Sequence, residues 1–382
     1  VADQRLIKQI NRARILDAIR LNSPISRSQI AVRVDLDRKS ITNLISELID
    51  EGLVVEVGKR RTEKGRPLTL LQLDGREHWV LGISLAENRV SGQIMDLYGH
   101  AAQVCAHPFA LDSGLGAIME VVLATYAELK ADAPGRAVGV GLAVPGILDP
   151  GTSVVHRSVN IPALNGINIR AAVEAFIPEP VFVEEATRAK TLAEKWFGVG
   201  REVASFASVD LGIGIGAGLV HNRQLHGDGI QFAGELGHII IEPGGAPCRC
   251  GHHGCLEAYV SDRVLLERIN RSESKKWRDL RSVDASRPRV ATVLREAGYR
   301  VGLALAYLVN IVGPPVLVLN GDLMQFADLV LPEVERGIAA GALPACAERV
   351  RVLRSELEEA AALGAGTRVL SEYFEVKGHY WV

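Results

Sequence analysis

The sequence predicts an α/β protein in two parts, a small helical head and a larger body of alternating strands and helices. Three observations predict it. Between Gln4 and Asp50 apolar residues recur at helical spacing, and two short strand-like runs follow before residue 74. From Trp79 onward, apolar strand runs such as 138–144 alternate with amphipathic helical ones. Two strand-and-turn segments, 79–90 and the glycine-rich 209–218, lie within that alternation.

In the head, Leu6, Ile7, Ile10, Ile15, Leu16 and Ile19 recur at helical spacing over residues 4–21, and Pro24 closes this helix. Ser26 is a suitable cap for a second helix over 27–34, which opens with Arg27. Asp35 and Leu36 make a short turn, and Asp37 caps a third helix reaching about residue 50. Its buried face is Ile41, Leu44, Ile45, Leu48 and Ile49, and Gly52 ends it because glycine tolerates positive φ. Strands over 53–57 and 68–73 follow, joined by a tip carrying Lys59, Arg60, Arg61, Lys64 and Arg66. This is the layout of a winged helix-turn-helix, assigned to residues 1–75. Arg38, Lys39, Ser40, Thr42 and Asn43 stand at the N-terminal end of the third helix, where they can meet base edges and phosphates in a major groove. Double-stranded DNA is therefore the expected partner. A solvated charged helix beside a basic loop would explain each element singly, but not their order.

Charge supports the division. Residues 1–70 hold 14 Lys and Arg against 9 Asp and Glu, and the rest of the chain holds 29 against 36, within a net charge of −2. A basic head on an acidic body places polyanion binding in the head. With 382 residues, 48% hydrophobic content and no apolar run long enough for a bilayer, a soluble protein without membrane insertion is expected. Five cysteines, three of them clustered, suit a reducing cytoplasm. The chain opens on Val1 rather than Met, which points to trimming upstream.

In the body, 79–90 reads as strand, turn and strand, 118–130 as an amphipathic helix, and 138–144 as a buried strand entering Pro145-Gly146. A strand over 181–186 leads into a helix through Trp196. The glycine repeat at 209–218 follows a strand and by itself is weak evidence for phosphate. Residues 258–302 read as helical with a charged, exposed insertion at 270–289. An apolar helix over 301–312, a core strand over 316–319 and a helix over 356–370 complete the pattern.

The chemistry is concentrated between these elements. Cys248, Cys250 and Cys255 fall within eight residues, ten residues after His238. Zn²⁺ needs four soft or borderline ligands with little strain, and these four residues supply a Cys₃His set. Four protein ligands leave no position for an activated water, so the metal is structural. On spacing alone His252 and His253 are alternatives to His238.

Gly234-Glu235-Leu236-Gly237-His238, followed by the Cys-x-Cys-Gly-x-x-Gly-Cys-Leu-Glu run ending at Glu257, resembles the signature of the ROK family of sugar-responsive repressors and sugar kinases. The order and spacing of the head resemble the N-terminal domain of that family's repressors. The resemblance implies a two-lobed actin-like, sugar kinase-like α/β body over 76–382, with a zinc loop at about 238–255. It also implies sugar contacts at Glu235, His238 and Glu257, and at Asn160 in a partial match to the family's Pro-Asn-x-Pro motif. Glu184 and Glu185 stand where the family has Asn-Asp, the Asp being the kinases' base, and two adjacent acids point to an effector bearing an amine.

Each nucleotide-facing motif departs from the kinase pattern. Ser84 replaces the metal-binding Asp, Ala86 and Glu87 replace the glycines, Asn88 and Ile213 replace Thr, and Asp322 replaces one glycine of a pair. The resemblance thus implies a repressor rather than an enzyme. It would be a homodimer, or a tetramer, on a palindromic operator, binding a sugar or sugar derivative between two lobes without phosphorylating it. The rival is an ATP-dependent sugar kinase with an added DNA-binding domain.

Overall fold

The computed structural model describes residues 4–61, 67–110, 112–131, 133, 135–227 and 234–374. Helix α1 (Gln4–Asn22), the short strand β1 (Ile25–Ser26), helices α2 (Arg27–Val34) and α3 (Arg38–Asp50), and strands β2 (Val54–Arg60) and β3 (Leu68–Leu73) form the expected winged helix-turn-helix. Local chemistry sets its boundaries. The Ser26 hydroxyl accepts the Gln29 N–H while the Gln29 side chain accepts the Ser26 N–H, a reciprocal capping box that starts α2. The Asp37 carboxylate accepts the N–H groups of Lys39 and Ser40 at the start of α3. Asp35 and Gly52, which end α2 and α3, lie at φ 50° and 76°.

Ile15, Leu16 and Ile19 of α1 are buried with Ile41, Ile45 and Leu48 of α3. Each such side chain contributes about 1.5–3 kcal/mol on burial, which is what holds three short helices together. Strand β1, not anticipated from sequence, pairs Ile25 with Leu71 and completes a three-stranded sheet of order β1-β3-β2. Strand β2 extends to Arg60, past its expected end, across an irregularity between Glu56 and Gly58.

The body continues with β4 (His78–Leu85), β5 (Arg89–Asp96), β6 (Ala101–Pro108), α4 (Leu115–Ala131), β7 (Arg136–Val144), β8 (Ile147–Leu148), β9 (Val155–Arg157), α5 (Ile169–Glu174), β10 (Val181–Glu185) and α6 (Ala186–Trp196). Then come β11 (Phe206–Leu211), β12 (Ile215–His221), β13 (Gln224–Leu225), α7 (Glu257–Val260), α8 (Asp262–Ser272) and α9 (Pro288–Val312). The chain finishes with β14 (Val316–Asn320), α10 (Ala327–Gly341), α11 (Pro344–Ala347), β15 (Arg351–Arg354) and α12 (Ala360–Phe374). No helix among the described residues is long and apolar enough to cross a membrane.

The chain divides into two compact units. The first holds residues 1–143, 170–184 and 365–382, so the head belongs to it together with one α/β sheet of order β10-β7-β4-β5-β6. Tyr98 ties the head in: its hydroxyl accepts the Leu73 N–H at 2.9 Å and donates to Ser23 Oγ at 3.1 Å. The second unit holds residues 144–169 and 185–364, with a sheet of order β13-β12-β11-β14-β15. Each sheet joins an antiparallel hairpin, β4 with β5 or β11 with β12, to a parallel neighbour, β7 or β14. The two halves therefore share a topology that no sequence repeat announces.

Two expectations need correction. The segment 270–289 is not simply an exposed insertion, because Trp277, Leu280 and Val283 are buried in the core of the second unit. Residues 301–312 are not a separate helix either; they form the second half of the 25-residue α9, whose apolar face runs unbroken from Val290 to Val309.

Candidate metal centre and nucleic-acid interface

Two chain segments build the metal centre. A short 3-10 turn over Leu236–His238 delivers His238, and the loop from Pro247 to Cys255 delivers the cysteines. The loop is a knuckle held by backbone bonds, Cys248 N–H to His252 C=O at 2.8 Å and Gly251 N–H to Cys248 C=O at 3.0 Å. Leu256 N–H bonds Ile239 C=O at 3.0 Å, which brings the end of the loop beside the histidine turn. Gly254, at φ 79°, is required there, since a Cβ would stand 1.8 Å from the Glu242 carbonyl oxygen.

The side chains meet as zinc ligands should. The ligand atoms of His238, Cys248, Cys250 and Cys255 all lie within 4.8 Å of one another. Cys250 Sγ is 3.7 Å from Cys255 Sγ, and Cys248 Sγ is 3.7 Å from His238 Nδ1. A tetrahedral Zn²⁺ with bonds of about 2.1–2.3 Å needs ligand-to-ligand edges of about 3.6–3.8 Å, so the donor set fits the ion. His238 completes this four-membered set; His252 Nδ1 approaches Cys250 Sγ at 3.6 Å but does not belong to it.

Thiol protonation points the same way. Burial and the neighbouring thiols push Cys255 up to about 12. Burial pushes Cys250 up as well, but bonds from the His252 backbone and from Cys248 outweigh it and bring the thiol down to about 6. The cluster supports one thiolate unaided and requires a cation to hold three.

Beside the cysteine cluster lies a small open hollow, lined in part by Asn160, Ile213 and Glu257. Glu257 opens α7, and its Oε2 accepts the Ile215 N–H at 3.2 Å. A methyl on Gly214 would stand 3.3 Å from Asn160 Nδ2 and 3.7 Å from Glu257 Oε2, so the two side chains converge on the β11–β12 turn. His238 turns Nδ1 toward Cys248 and Nε2 toward Glu235, whose Oε2 is 3.9 Å away. One imidazole thus faces the metal ligands and a carboxylate at once.

The remaining acids predicted to meet a ligand have other partners. Both Glu185 oxygens accept backbone N–H groups, from Thr187 and Arg188 at 2.9 Å each, so it caps α6. Glu184 stands 3.6 Å from Arg368 Nε in the first unit. Arg249, Ser261 and Arg263, which line the cavity, were missed in the sequence. The only available signal was an arginine standing between two cysteines of the cluster.

Charged residues also cluster in the second unit. Asp322 takes two bonds from Arg281, Nε to Oδ2 at 3.0 Å and Nη2 to Oδ1 at 2.9 Å. Lys190 donates to Asp210 Oδ2 at 2.5 Å. Asp262 has no such partner: burial, then the Asp322 and Asp210 carboxylates, push its carboxyl up to about 8.

In the head, α3 exposes Arg38, Lys39, Thr42 and Asn43. The Ser40 hydroxyl is bonded to Asp37 and serves the cap. Thr42 Oγ1 donates to the Arg38 carbonyl at 2.7 Å. Arg27 pairs with Glu56 at 3.0 Å, Arg60 donates to Gln29 Oε1 at 3.3 Å, and Arg61 is exposed. Lys64 and Arg66 lie outside the described residues.

Comparison with known proteins finds a match for each part of the chain. Residues 115–371 match the profile of the ROK family, and residues 9–55 match that of winged helix-turn-helix DNA-binding domains. The xylose repressor of Caldicellulosiruptor bescii is 29% identical over 396 residues, covering 97% of this chain and 98% of the relative. A crystal structure of a ROK family transcriptional regulator, homolog of the E. coli MLC protein, superposes with TM-score 0.83 at 24% identity, covering 97% of this chain and 98% of that one. A ROK hexokinase from Thermus thermophilus superposes with TM-score 0.61 at 27% identity, covering 76% of this chain and 97% of its own.

Proposed function

Because this chain belongs to the ROK family and carries a winged helix-turn-helix ahead of its kinase-like body, we propose that it is a sugar-responsive transcriptional repressor. One observation carries the reading. A capped α3 exposes Arg38, Lys39, Thr42 and Asn43 on a chain that also holds a Cys₃His centre beside a polar cavity. Residues 1–75 read operator DNA and residues 76–382 bind a sugar and pair two copies, so that two heads meet two half-sites. Zinc, held by His238, Cys248, Cys250 and Cys255, braces the cavity wall and leaves no ligand position for chemistry. The site of action is the cytoplasm, where DNA and sugar are both available.

Phosphoryl transfer is disfavoured by this chain's own residues. At the position of the kinases' base, Glu185 stands in place of Asp, and each of its oxygens already accepts a backbone N–H group at the start of α6. At the glycine pair, Asp322 is locked to Arg281. Ile213 offers phosphate an alkyl group at the β11–β12 turn. Effector and operator must be coupled reciprocally, and a swing from 99:1 to 1:99 occupancy requires about 5.5 kcal/mol of differential binding.

The test is fluorescence anisotropy with DNA from upstream of the gene, titrated with a panel of sugars and their derivatives. Saturable binding to this DNA and a shift in midpoint with one sugar class are expected. Operator affinity that no sugar changes would remove the sensing half of the proposal. Sugar phosphate formed with ATP and Mg²⁺ at even a few turnovers per second would return the chain to the kinases.

A further inference from the structure

We propose that Cys105, His107 and Glu128 form a second metal site, in the first unit, that takes a borderline divalent cation such as Zn²⁺. Their ligand atoms, one thiol sulfur, one imidazole nitrogen and one carboxylate oxygen, all lie within 4.8 Å of one another. Apart from the Cys₃His set, no other such group of histidine, cysteine and acidic side chains occurs among the described residues. The site is independent of the sensing role proposed above, because its three residues belong to the first unit and the Cys₃His set to the second.

The fold brings the three together by features that can be named one at a time. Cys105 and His107 stand two residues apart on β6, so both side chains leave the same face of the strand. Cys105 pairs with Gly92 of β5, and His107 with Val90. A Cβ on Gly92 would stand 2.7 Å from both Thr125 Cγ2 and Leu129 Cδ1 of α4, so that glycine lets the helix settle on the sheet at the register of Cys105. Thr125 and Leu129 are buried there, whereas Glu128 between them is exposed, and its Oε2 meets His107 Nε2 at 2.7 Å. Strand β6 is the last of its sheet, which leaves this corner open to water and to ions.

An exposed His–Glu pair contributes little to stability and has no need of a thiol, yet a free, half-buried cysteine lies within reach of both partners. Sulfur, nitrogen and oxygen donors together select Zn²⁺ and its neighbours over Mg²⁺ and Ca²⁺, which require oxygen. In a tetrahedron with bonds of about 2.0–2.1 Å, nitrogen and oxygen stand about 3.3 Å apart, so Glu128 must swing outward by roughly 0.6 Å, which an exposed carboxylate does by rotating its own bonds. On binding, the ion takes the place of the Cys105 thiol proton, which leaves to water, while His107 ligates as neutral imidazole. Three protein ligands leave the fourth position to water. Such a site exchanges its ion, whereas the four-ligand Cys₃His set keeps its own through dialysis.

The experiment titrates Zn²⁺, and Co²⁺ in a parallel sample, into the dialysed full chain, whose starting zinc content is fixed by elemental analysis. Calorimetry should show one equivalent beyond the Cys₃His ion, and the added Co²⁺ should give a thiolate-to-metal charge-transfer band that Cys105→Ser abolishes. His107→Ala and Glu128→Gln should each weaken the added equivalent by about tenfold or more, the scale on which even the outer partners of metal ligands act. Melting midpoints without added metal should match the parent's. Glu128→Gln changes only an exposed side chain, so a folding defect in Cys105→Ser would not hide the answer. No equivalent beyond the first, or a further one that Cys105→Ser, His107→Ala and Glu128→Gln leave at the parent's affinity, overturns the proposal.

Discussion

Replacing Asp262 with Asn would test how the charged cluster of the second unit is balanced. Lys190 is taken by Asp210 and Arg281 by Asp322, which leaves Asp262 half-buried, with no cation bonded to it among the described residues and its Oδ1 lacking a hydrogen-bond partner. Its carboxyl is pushed to about 8 from an ordinary 3.8, so the folded chain holds a proton that the unfolded chain releases. The sign follows from proton counting. Below about pH 4 both states are protonated and the shift costs nothing. Between pH 4 and 8 the folded state binds more protons, and stability falls by roughly 1 kcal/mol for each pH unit. Above pH 8 both states are ionised and the loss is complete. Asparagine cannot ionise, and its backbone N–H keeps the bond to the Gly212 carbonyl. The variant should therefore be more stable than the parent, with a gap that widens from pH 5 to 8 and then levels, up to a ceiling of roughly 5 kcal/mol. Urea unfolding at pH 5, 6, 7, 8 and 9, with zinc content verified at each, reads this directly. A gap that stays constant with pH, or a variant less stable at pH 8, would show that Asp262 is ionised in the folded chain and refute the reasoning.

Cys255→Ser should abolish stoichiometric zinc, measured by elemental analysis, and lower the melting midpoint, because the fourth ligand is lost from a set that folds its own loop. Gly254→Ala should do the same without touching a ligand, since its Cβ would overlap the Glu242 carbonyl; unchanged zinc affinity would contradict the loop geometry. Ser26→Ala removes half of the α2 capping box and should cost about 1 kcal/mol in urea unfolding. Arg38→Ala and Lys39→Ala should each reduce the slope of log affinity against log salt by about 1 if they meet phosphate, read by anisotropy from low to physiological salt.

What the sequence made legible was local chemistry. Ser26, Asp37 and Gly52 announce helix ends because a cap needs only its own neighbours, and the Cys₃His set was visible because its ligands fall within eighteen residues. What stayed hidden depends on partners distant in sequence. Strand β1 is two residues long and exists because β3 runs past it. Trp277 lies among charged residues and is buried only because Asn270 brackets its backbone from seven residues away, accepting its N–H and donating to its carbonyl. Glu185 gives no sign in the sequence that it also caps α6. Arg263 gave no signal at all, because an exposed helix arginine is ordinary until a cavity is found beside it.

The proposed sensing role sets what the effector must supply. A kinase can draw closing energy from two ligands, whereas a repressor with a single effector draws it from that molecule alone. All of the roughly 5.5 kcal/mol needed for a full switch must then come from one small molecule. Neutral hydrogen bonds contribute about 0.5–1.5 kcal/mol each, so four or five of them, all made in one state only, would barely suffice. Bonds to a charged group contribute about 1.5–3 kcal/mol, and two of them halve the number of contacts required. A pocket that makes bonds to a charged group reaches that total with fewer contacts than one limited to neutral hydroxyls.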